Sequence, residues 1–444
     1  MKKFTFTAFL LLLFTLFASA QTPQLQWANA LGQPNDPDLG IKLMPDNNGN
    51  LFFYGRFSGT VDFDPGAGVT NLTAGGNYDI VLGKYDQSGA LMWVKKIGGS
   101  VTGPNNAHLM NPYDAVVDNA GNLFITGLYV GIVDIDPSAA NYLLYPDAAG
   151  PMGEKIFVAS YTGNGGFRWG FGYGYQDFLG GYFNEGHNIK IDNAGDVIVS
   201  GMYHHTCDFD PSAATYNLTA TGSYMDIFFA KYSNTGNFIW AKSVGGGGVE
   251  DTPTDLVIDN NNNIYLCGFI DLAADFDPSA AVATVTSNGG GGDIFLAKYN
   301  SSGAYQWAFS AGSSVNYDVA GGLGIDNNGN VCMGGYFRGT VDFDPSGAIF
   351  NLTSTGITAA DAFLTKYSTT GNLLWAKSFG GNNHENVSGL TIDRYGRIIV
   401  SGDFWGLADF DPSPLDEIID IGAAPNGSFI AQFDNDGNYL NVMS

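Results

Sequence analysis

The stretch Asp361-Ala362-Phe363-Leu364-Thr365-Lys366-Tyr367-Ser368-Thr369-Thr370-Gly371-Asn372-Leu373-Leu374-Trp375 reads as two short strands around a tight turn. Aromatic and aliphatic residues on either side fit strands, and Gly371-Asn372 supply the residues that accept the positive φ a hairpin loop needs. The unit returns along the chain. Trp27, Trp93, Trp169, Trp240, Trp307 and Trp375 recur at intervals of 66, 76, 71, 67 and 68 residues, and Asn441 stands another 66 on in a decayed copy.

Outward from that hairpin, each period carries the same ordered parts. The fifth has the turn Asp326-Asn327-Asn328-Gly329-Asn330, a strand ending at Gly335, the insert Asp342-Phe343-Asp344-Pro345, and then the quoted hairpin. Two tight hairpins give four strands per period, and the insert, Val341 to Pro345 followed by Phe350 to Thr353, reads as a small extra hairpin. No stretch of helical period competes. Four antiparallel strands repeated six times, apolar on both faces, predict an all-β chain: a β-propeller of six four-stranded blades, each with an extra DFDP hairpin. The Trp strand should be outermost, because its link to the next Asp turn is long enough to cross between blades. The strand before the Asp-x-x-Gly turn should be innermost. Either the Trp27 strand or Tyr439 to Met443 then completes the sixth blade.

Segments such as 361–372 and Gly121-Asn122-Leu123-Phe124-Ile125-Thr126-Gly127 resemble the bacterial SBBP β-propeller repeat family, over about residues 25 to 440. The resemblance implies a propeller of an exported protein and brings no catalytic residues with it. The family name refers to seven blades where this chain shows six periods, and the DFDP insert lengthens each repeat.

Composition limits the function. A formal charge of −25, from 18 Lys+Arg against 43 Asp+Glu, excludes nucleic acid and anionic membranes as partners on electrostatic grounds. Residues 1–20 read as a signal peptide: Lys2-Lys3, an apolar run from Phe4 to Phe17, and Ala18-Ser19-Ala20 as cleavage site. The domain expectation is therefore a leader, 1–20, then a propeller over 21–444, secreted or at a bacterial cell surface with no membrane span. Cys207, Cys267 and Cys332 are an odd set and read as small buried apolar residues.

Four groups of residues are candidates for chemistry. The Asp-x-Asp-Pro motif sets two carboxylates on one side of a strand in every period: Asp62 with Asp64, Asp134 with Asp136, Asp208 with Asp210, Asp275 with Asp277, Asp342 with Asp344, and Asp409 with Asp411. Either these pairs are ligands of a hard cation such as calcium, or the second Asp caps its own turn while the first is solvated. Eight residues before each hairpin Asp stand Asp38, Asn184, Asp251, Asp318 and Glu385, with Met110 the exception; these are expected to ring one mouth of the axial channel. Asp79, Asp226, Asp293 and Asp361 occur together with Lys84, Lys231, Lys298 and Lys366, which suggests structural ion pairs. Finally, the Trp-to-Asp link is 25 residues before the second blade and 23 before the third, against 18 or 19 elsewhere. The long link before the third blade holds Phe171, Tyr173, Tyr175, Asp177, Phe178, Tyr182 and His187, which read either as stacking platforms for sugar or peptide or as packing between blades.

No Gly-x-Ser-x-Gly, His-Glu-x-x-His or phosphate-loop motif occurs, and an enzyme is the less favoured reading. The expected function is a secreted, non-catalytic binding or adhesion module for an extracellular polysaccharide or protein. The alternative is a glycan-active hydrolase or lyase with acids near the channel mouth.

Overall fold

The structure, a computed structural model, describes residues 42–444 except 100–107, 146–152, 175–183, 223, 249, 290, 316, 357–358, 416 and 423–425. Within the described residues, every regular element is a strand, and four-strand units follow one another along the chain. In the first, Lys42–Pro45, Leu51–Phe57, Asp79–Tyr85 and Leu91–Ile97 lie side by side in chain order, each antiparallel to the next. The fifth repeats this with Val319–Ile325, Val331–Phe337, Asp361–Tyr367 and Leu373–Gly381. Among the described residues there are six such units, referred to by number below.

The turns form for local reasons. Asp46 Oδ1 accepts the N–H groups of Asn48 (2.8 Å) and Asn50 (2.9 Å), while Gly49 takes φ +74°, so one side chain closes the loop that its own backbone opens. In the first unit the third strand, Asp79–Tyr85, is buried along its whole length, and the second and third strands are the most buried of units one to five. Aromatic rings are the largest buried side chains of the core: Phe52, Phe53, Phe63 and Tyr129 are fully buried, each worth roughly 1.5–3 kcal/mol relative to exposure.

The recurrent Trp joins units. Trp169, on the outer strand of unit two (Phe167–Tyr173), lies against Gly236 in the turn of unit three, and its Nε1 donates to the Asn234 carbonyl at 2.8 Å. Trp93 donates in the same way to Gly163 of the next unit at 3.1 Å. The DFDP hairpin is a second clasp. Gly245 and Gly246, at the end of an outer strand, pair with Asp275 and Ala274 of the following unit's insert, and Gly380 and Gly381 pair with Asp409 and Ala408. Gly246 permits this approach, since a Cβ there would sit 1.8 Å from the Ala273 oxygen. The insert is also tied to its own sheet: Tyr232 Oη donates to the Phe209 carbonyl at 3.0 Å, and Tyr367 Oη to that of Phe343 at 2.9 Å.

The outermost place of the sixth unit is taken by Tyr439–Met443, paired with Gly427–Phe433. The leader 1–20, Trp27 and Asp38 lie outside the described residues. All three cysteines are buried. Among the described residues, no helix is long and apolar enough to cross a membrane.

Candidate functional site: the channel between the inner strands

One strand from each of the six units contributes to a single cavity of about 510 Å³, with Lys42, Tyr113, His187, Thr254, Gly321 and Ser388 among its lining residues. Five of these share a backbone feature. The pairing of inner and second strands slips by one residue between Pro112 and Asp114, Gly186 and Asn188, Pro253 and Asp255, Ala320 and Gly322, and Val387 and Gly389. The extra residue at each β-bulge is therefore Tyr113, His187, Thr254, Gly321 or Ser388. A bulge frees one residue from the ladder and re-aims its side chain, here toward the cavity.

The ring so formed is lopsided. Tyr113 and His187 lie with ring centres 5.2 Å apart. Tyr113 Oη donates to Glu185 Oε1 at 2.8 Å, His187 Nε2 is 2.7 Å from Glu185 Oε2, and His187 Nδ1 is 2.9 Å from the Pro253 carbonyl. One step further along the strands, Lys190 Nζ is 2.7 Å from Asp114 Oδ2, and Asp255 accepts the N–H groups of Leu256 and Leu323. Burial disfavours the Lys190 charge, but Asp114 and Asp255 outweigh it and raise its pKa; burial also raises Asp255, against the pull of Lys190. In units five and six the bulge residues are the small Gly321 and Ser388. The site thus pairs a charged, aromatic wall with a wall of small residues, and Lys42 at its edge donates to the Tyr113 carbonyl at 2.7 Å. Such a surface can hold a hydroxyl-rich ligand by hydrogen bonds at one wall while fitting its bulk against the other.

Of the residues singled out in the sequence, His187 lies in this cavity. The expected ring of acids does not. Asp251, Asp318 and Glu385 are almost wholly buried and cap backbone: Asp318 accepts the N–H groups of Ser313 (2.6 Å) and Arg338 (2.7 Å), Asp251 those of Gly246 and Asp271, and Glu385 that of Gly381. Asn184 takes the same place, accepting from His204 N–H at 3.2 Å. Burial pushes Asp251 and Glu385 up to about 7 and Asp318 to about 6.

Tyr173, expected in a ligand platform, packs instead against Phe209 and Phe228 in the core. Phe171 is nearly buried between Trp169 and Tyr232 and borders only a groove at the outer rim. Tyr175, Asp177, Phe178 and Tyr182 lie outside the described residues.

The Asp-x-Asp-Pro carboxylates are engaged with their own loop in every unit. Asp342 Oδ1 accepts the N–H groups of Asp344 (3.1 Å) and Phe350 (2.8 Å), and Asp344 Oδ1 that of Ser346 (2.9 Å). The first acid of each other pair does the same. Asp62 accepts from Asp64 and Thr70, Asp134 from Asp136 and Tyr142, and Asp208 from Asp210 and Tyr216. Asp275 accepts from Asp277 and Ala283, and Asp409 from Asp411 and Glu417. The second acids, named in the sequence as candidate metal ligands, cap as well: Asp64 accepts the Gly66 N–H, Asp136 that of Ser138, and Asp210 that of Ser212. Asp277 accepts from Ser279 and Asp411 from Ser413. Both members of each pair therefore cap, which corrects the expectation that the first is merely solvated. Among the described residues, no group of three or more His, Cys, Asp or Glu is placed to hold a metal ion.

The co-occurring Asp and Lys are not each other's partners either. Lys84, Lys231 and Lys366 pair with Asp46, Asp192 and Asp326 of the inner turns, at 2.8, 2.6 and 2.9 Å. Asp79 instead caps Gly75 and Gly99 and meets Lys96 at 3.1 Å. Five residues apart on a strand means opposite faces, and each face supplied its own partner.

The sequence alone does not single out Tyr113, Thr254, Asp114, Lys190 or Asp255. The available signal is positional: the bulge residue stands five before each hairpin Asp and differs in every period.

No family model matches the chain. It is 24% identical over 491 residues to the uncharacterized WD repeat-containing protein L264 of Acanthamoeba polyphaga mimivirus, covering 93% of this chain and 34% of that protein. It is 29% identical over 176 residues to the regulatory protein FlaEY of Caulobacter vibrioides, covering 38% of this chain and 17% of that protein. The chain therefore spans about a third of the length of the one and about a sixth of the other. A crystal structure of a protein of unknown function from Bacteroides caccae overlaps 83% of this chain and 90% of its own at 7% identity, with a TM-score of 0.34. The succession of four-stranded antiparallel sheets, together with the WD repeat-containing relative, makes this a repeat protein of β-propeller type.

Proposed function

We propose that the chain is a six-bladed, SBBP-type propeller, exported after loss of residues 1–20, that binds an extracellular polysaccharide where the inner strands open. One observation carries this reading: at a single register, five inner strands present Tyr113, His187, Thr254, Gly321 and Ser388 to one cavity. A scaffold that repeats its turns and clasps almost residue for residue varies this position in every unit. The volume of about 510 Å³ falls within the ~300–1,000 Å³ of small-ligand sites, a better match to sugar units than to a flat protein partner. Probing immobilised neutral and acidic polysaccharides with the purified chain tests it. Retention on at least one supports the reading, whereas retention only by a protein partner contradicts it. Export is tested by the N-terminus of the secreted chain, expected at Gln21.

A second reading, a glycan-active hydrolase or lyase, has its own observation. Burial and the nearby Glu185 charge raise Glu154 to about 7, while Glu185 is held by Tyr113 and His187. Two carboxyl groups in unlike surroundings can divide the roles of acid and base. Release of reducing ends from a bound polysaccharide, lost in Glu154→Gln, would establish it.

A further inference from the structure

The rim between units two and three holds an open groove of about 390 Å³, bounded by Tyr142, Trp169, Phe171, Phe238, Asp210 and Asn237. Its floor is unlike most of the outer rim. Side chains two apart on a strand share a face, and on Phe167–Tyr173 that face carries Trp169, Phe171 and Tyr173 in a stack: Trp169 and Phe171 are 5.7 Å apart at 8°, Phe171 and Tyr173 6.0 Å apart at 29°. Two residues after the Trp, three other units place Lys95, Lys242 and Lys377, and four after it none of them has a Tyr. Unit four has Phe309 at the first of these places but Ala311 at the second. Of these rings Trp169 and the edge of Phe171 border the groove while Tyr173 continues the stack into the core, and Tyr142, 44% exposed, stands at the lip, as Tyr216 and Phe350 stand at the same insert position in units three and five.

Polar groups line the opposite side. Asp210 uses Oδ1 to accept the Ser212 N–H, and its other oxygen is unclaimed among the described residues. The Ser212 and Thr235 hydroxyls and the Asn237 amide stand beside it. Among the described residues no Lys, Arg or His borders the groove, and the chain carries −25 overall. That charge repels an anionic ligand and leaves a flat apolar face with hydrogen-bonding groups at its edge. An uncharged pyranose ring meets both, its C–H face on the aromatic stack and its hydroxyls on Asp210 and Asn237.

We infer that this groove is a binding subsite for a neutral sugar unit, separate from the channel. The inference rests on the polysaccharide reading and extends it to a second place on the molecule.

Isothermal titration of the whole chain with cello-, malto- and mannohexaose tests it, using Tyr142→Ala and Phe171→Lys. The lysine is the residue the fold already accepts at this position in three units, and Phe309→Lys, the same change in unit four, controls for any general cost of the substitution. The expected result is a roughly tenfold weaker Kd in Tyr142→Ala and Phe171→Lys with Phe309→Lys unchanged, the scale of one lost ring contact. Unchanged affinity in both groove variants overturns the subsite. If Tyr113→Ala and His187→Ala abolish binding while the groove variants do not, the channel reading stands and this one falls; the reverse pattern upholds the groove and removes the channel. Failure of every neutral oligosaccharide to bind overturns the inference outright.

Discussion

Glu185 binds His187 through Oε2 at 2.7 Å while its Oε1 takes the Tyr113 hydroxyl at 2.8 Å, so one carboxylate ties together bulge residues of two adjacent inner strands. Because the two bonds share an acceptor, removing either partner alters the other. Tyr113→Phe should cost about 1 kcal/mol of stability, and a double-mutant cycle with His187→Ala should show a coupling of about 0.5 kcal/mol or more. Additive losses in urea denaturation would mean that Glu185 does not link the two strands.

The recurrent Trp and the turn glycine of the next unit are the other inter-unit relationship open to a sharp test. Gly236 has φ +81° and a Cβ there would come within 2.8 Å of the Trp169 ring; Gly121 has the same φ and nothing within 4 Å. Gly121→Ala should therefore carry only the backbone strain, about 1–3 kcal/mol, and Gly236→Ala should cost clearly more. Equal shifts in denaturation midpoint would show that the ring yields freely.

Stability should fall as pH rises from about 4 to about 7. Burial raises Asp226, Asp251, Asp293 and Glu385 to about 7, so over this interval the folded chain holds protons that the unfolded chain has lost. For a carboxyl group with a raised folded pKa, that contribution is complete below the unfolded value and disappears on passing the folded one. The melting temperature is expected to be higher at pH 5 than at pH 8. Glu385→Gln keeps an oxygen for the Gly381 N–H without the charge; it should be near neutral at pH 5 and stabilising by about 1 kcal/mol at pH 8. An unchanged pH profile in this variant would remove Glu385 from the explanation.

The DFDP loops should behave as capped turns. Asp342→Ala removes the acceptor of two backbone N–H groups and should cost about 1–2 kcal/mol, the scale of a lost cap. Melting in calcium and in chelator should coincide, because the Oδ1 atoms of each pair are already taken by loop amides. A calcium-dependent rise lost in Asp342→Asn with Asp344→Asn would instead make these loops metal sites.

What could be read from the sequence is what every unit needs alike. Trp169 must cover Gly236, and Asp46 must close its turn, so these residues recur and the order of strands follows from the loop lengths between them. Pair partners are harder, because joint occurrence of Asp79 and Lys84 reflects a shared strand rather than contact. Acids eight before the hairpin suggest a channel mouth, yet Asp318 is buried under backbone that its position in the chain does not reveal. The bulge is hidden for another reason: a one-residue slip flips which side chains face inward, and no residue type marks it. Tyr113 and His187 therefore look like ordinary strand residues until the register is known.

The central claim, that the bulge residues form a polysaccharide site, is tested most directly by titrating the purified chain with a polysaccharide it retains and comparing Tyr113→Ala and His187→Ala with the parent. A folded variant that binds at least about tenfold more weakly is the predicted result, equivalent to about 1.4 kcal/mol. Parent-like affinity in both variants would contradict the account.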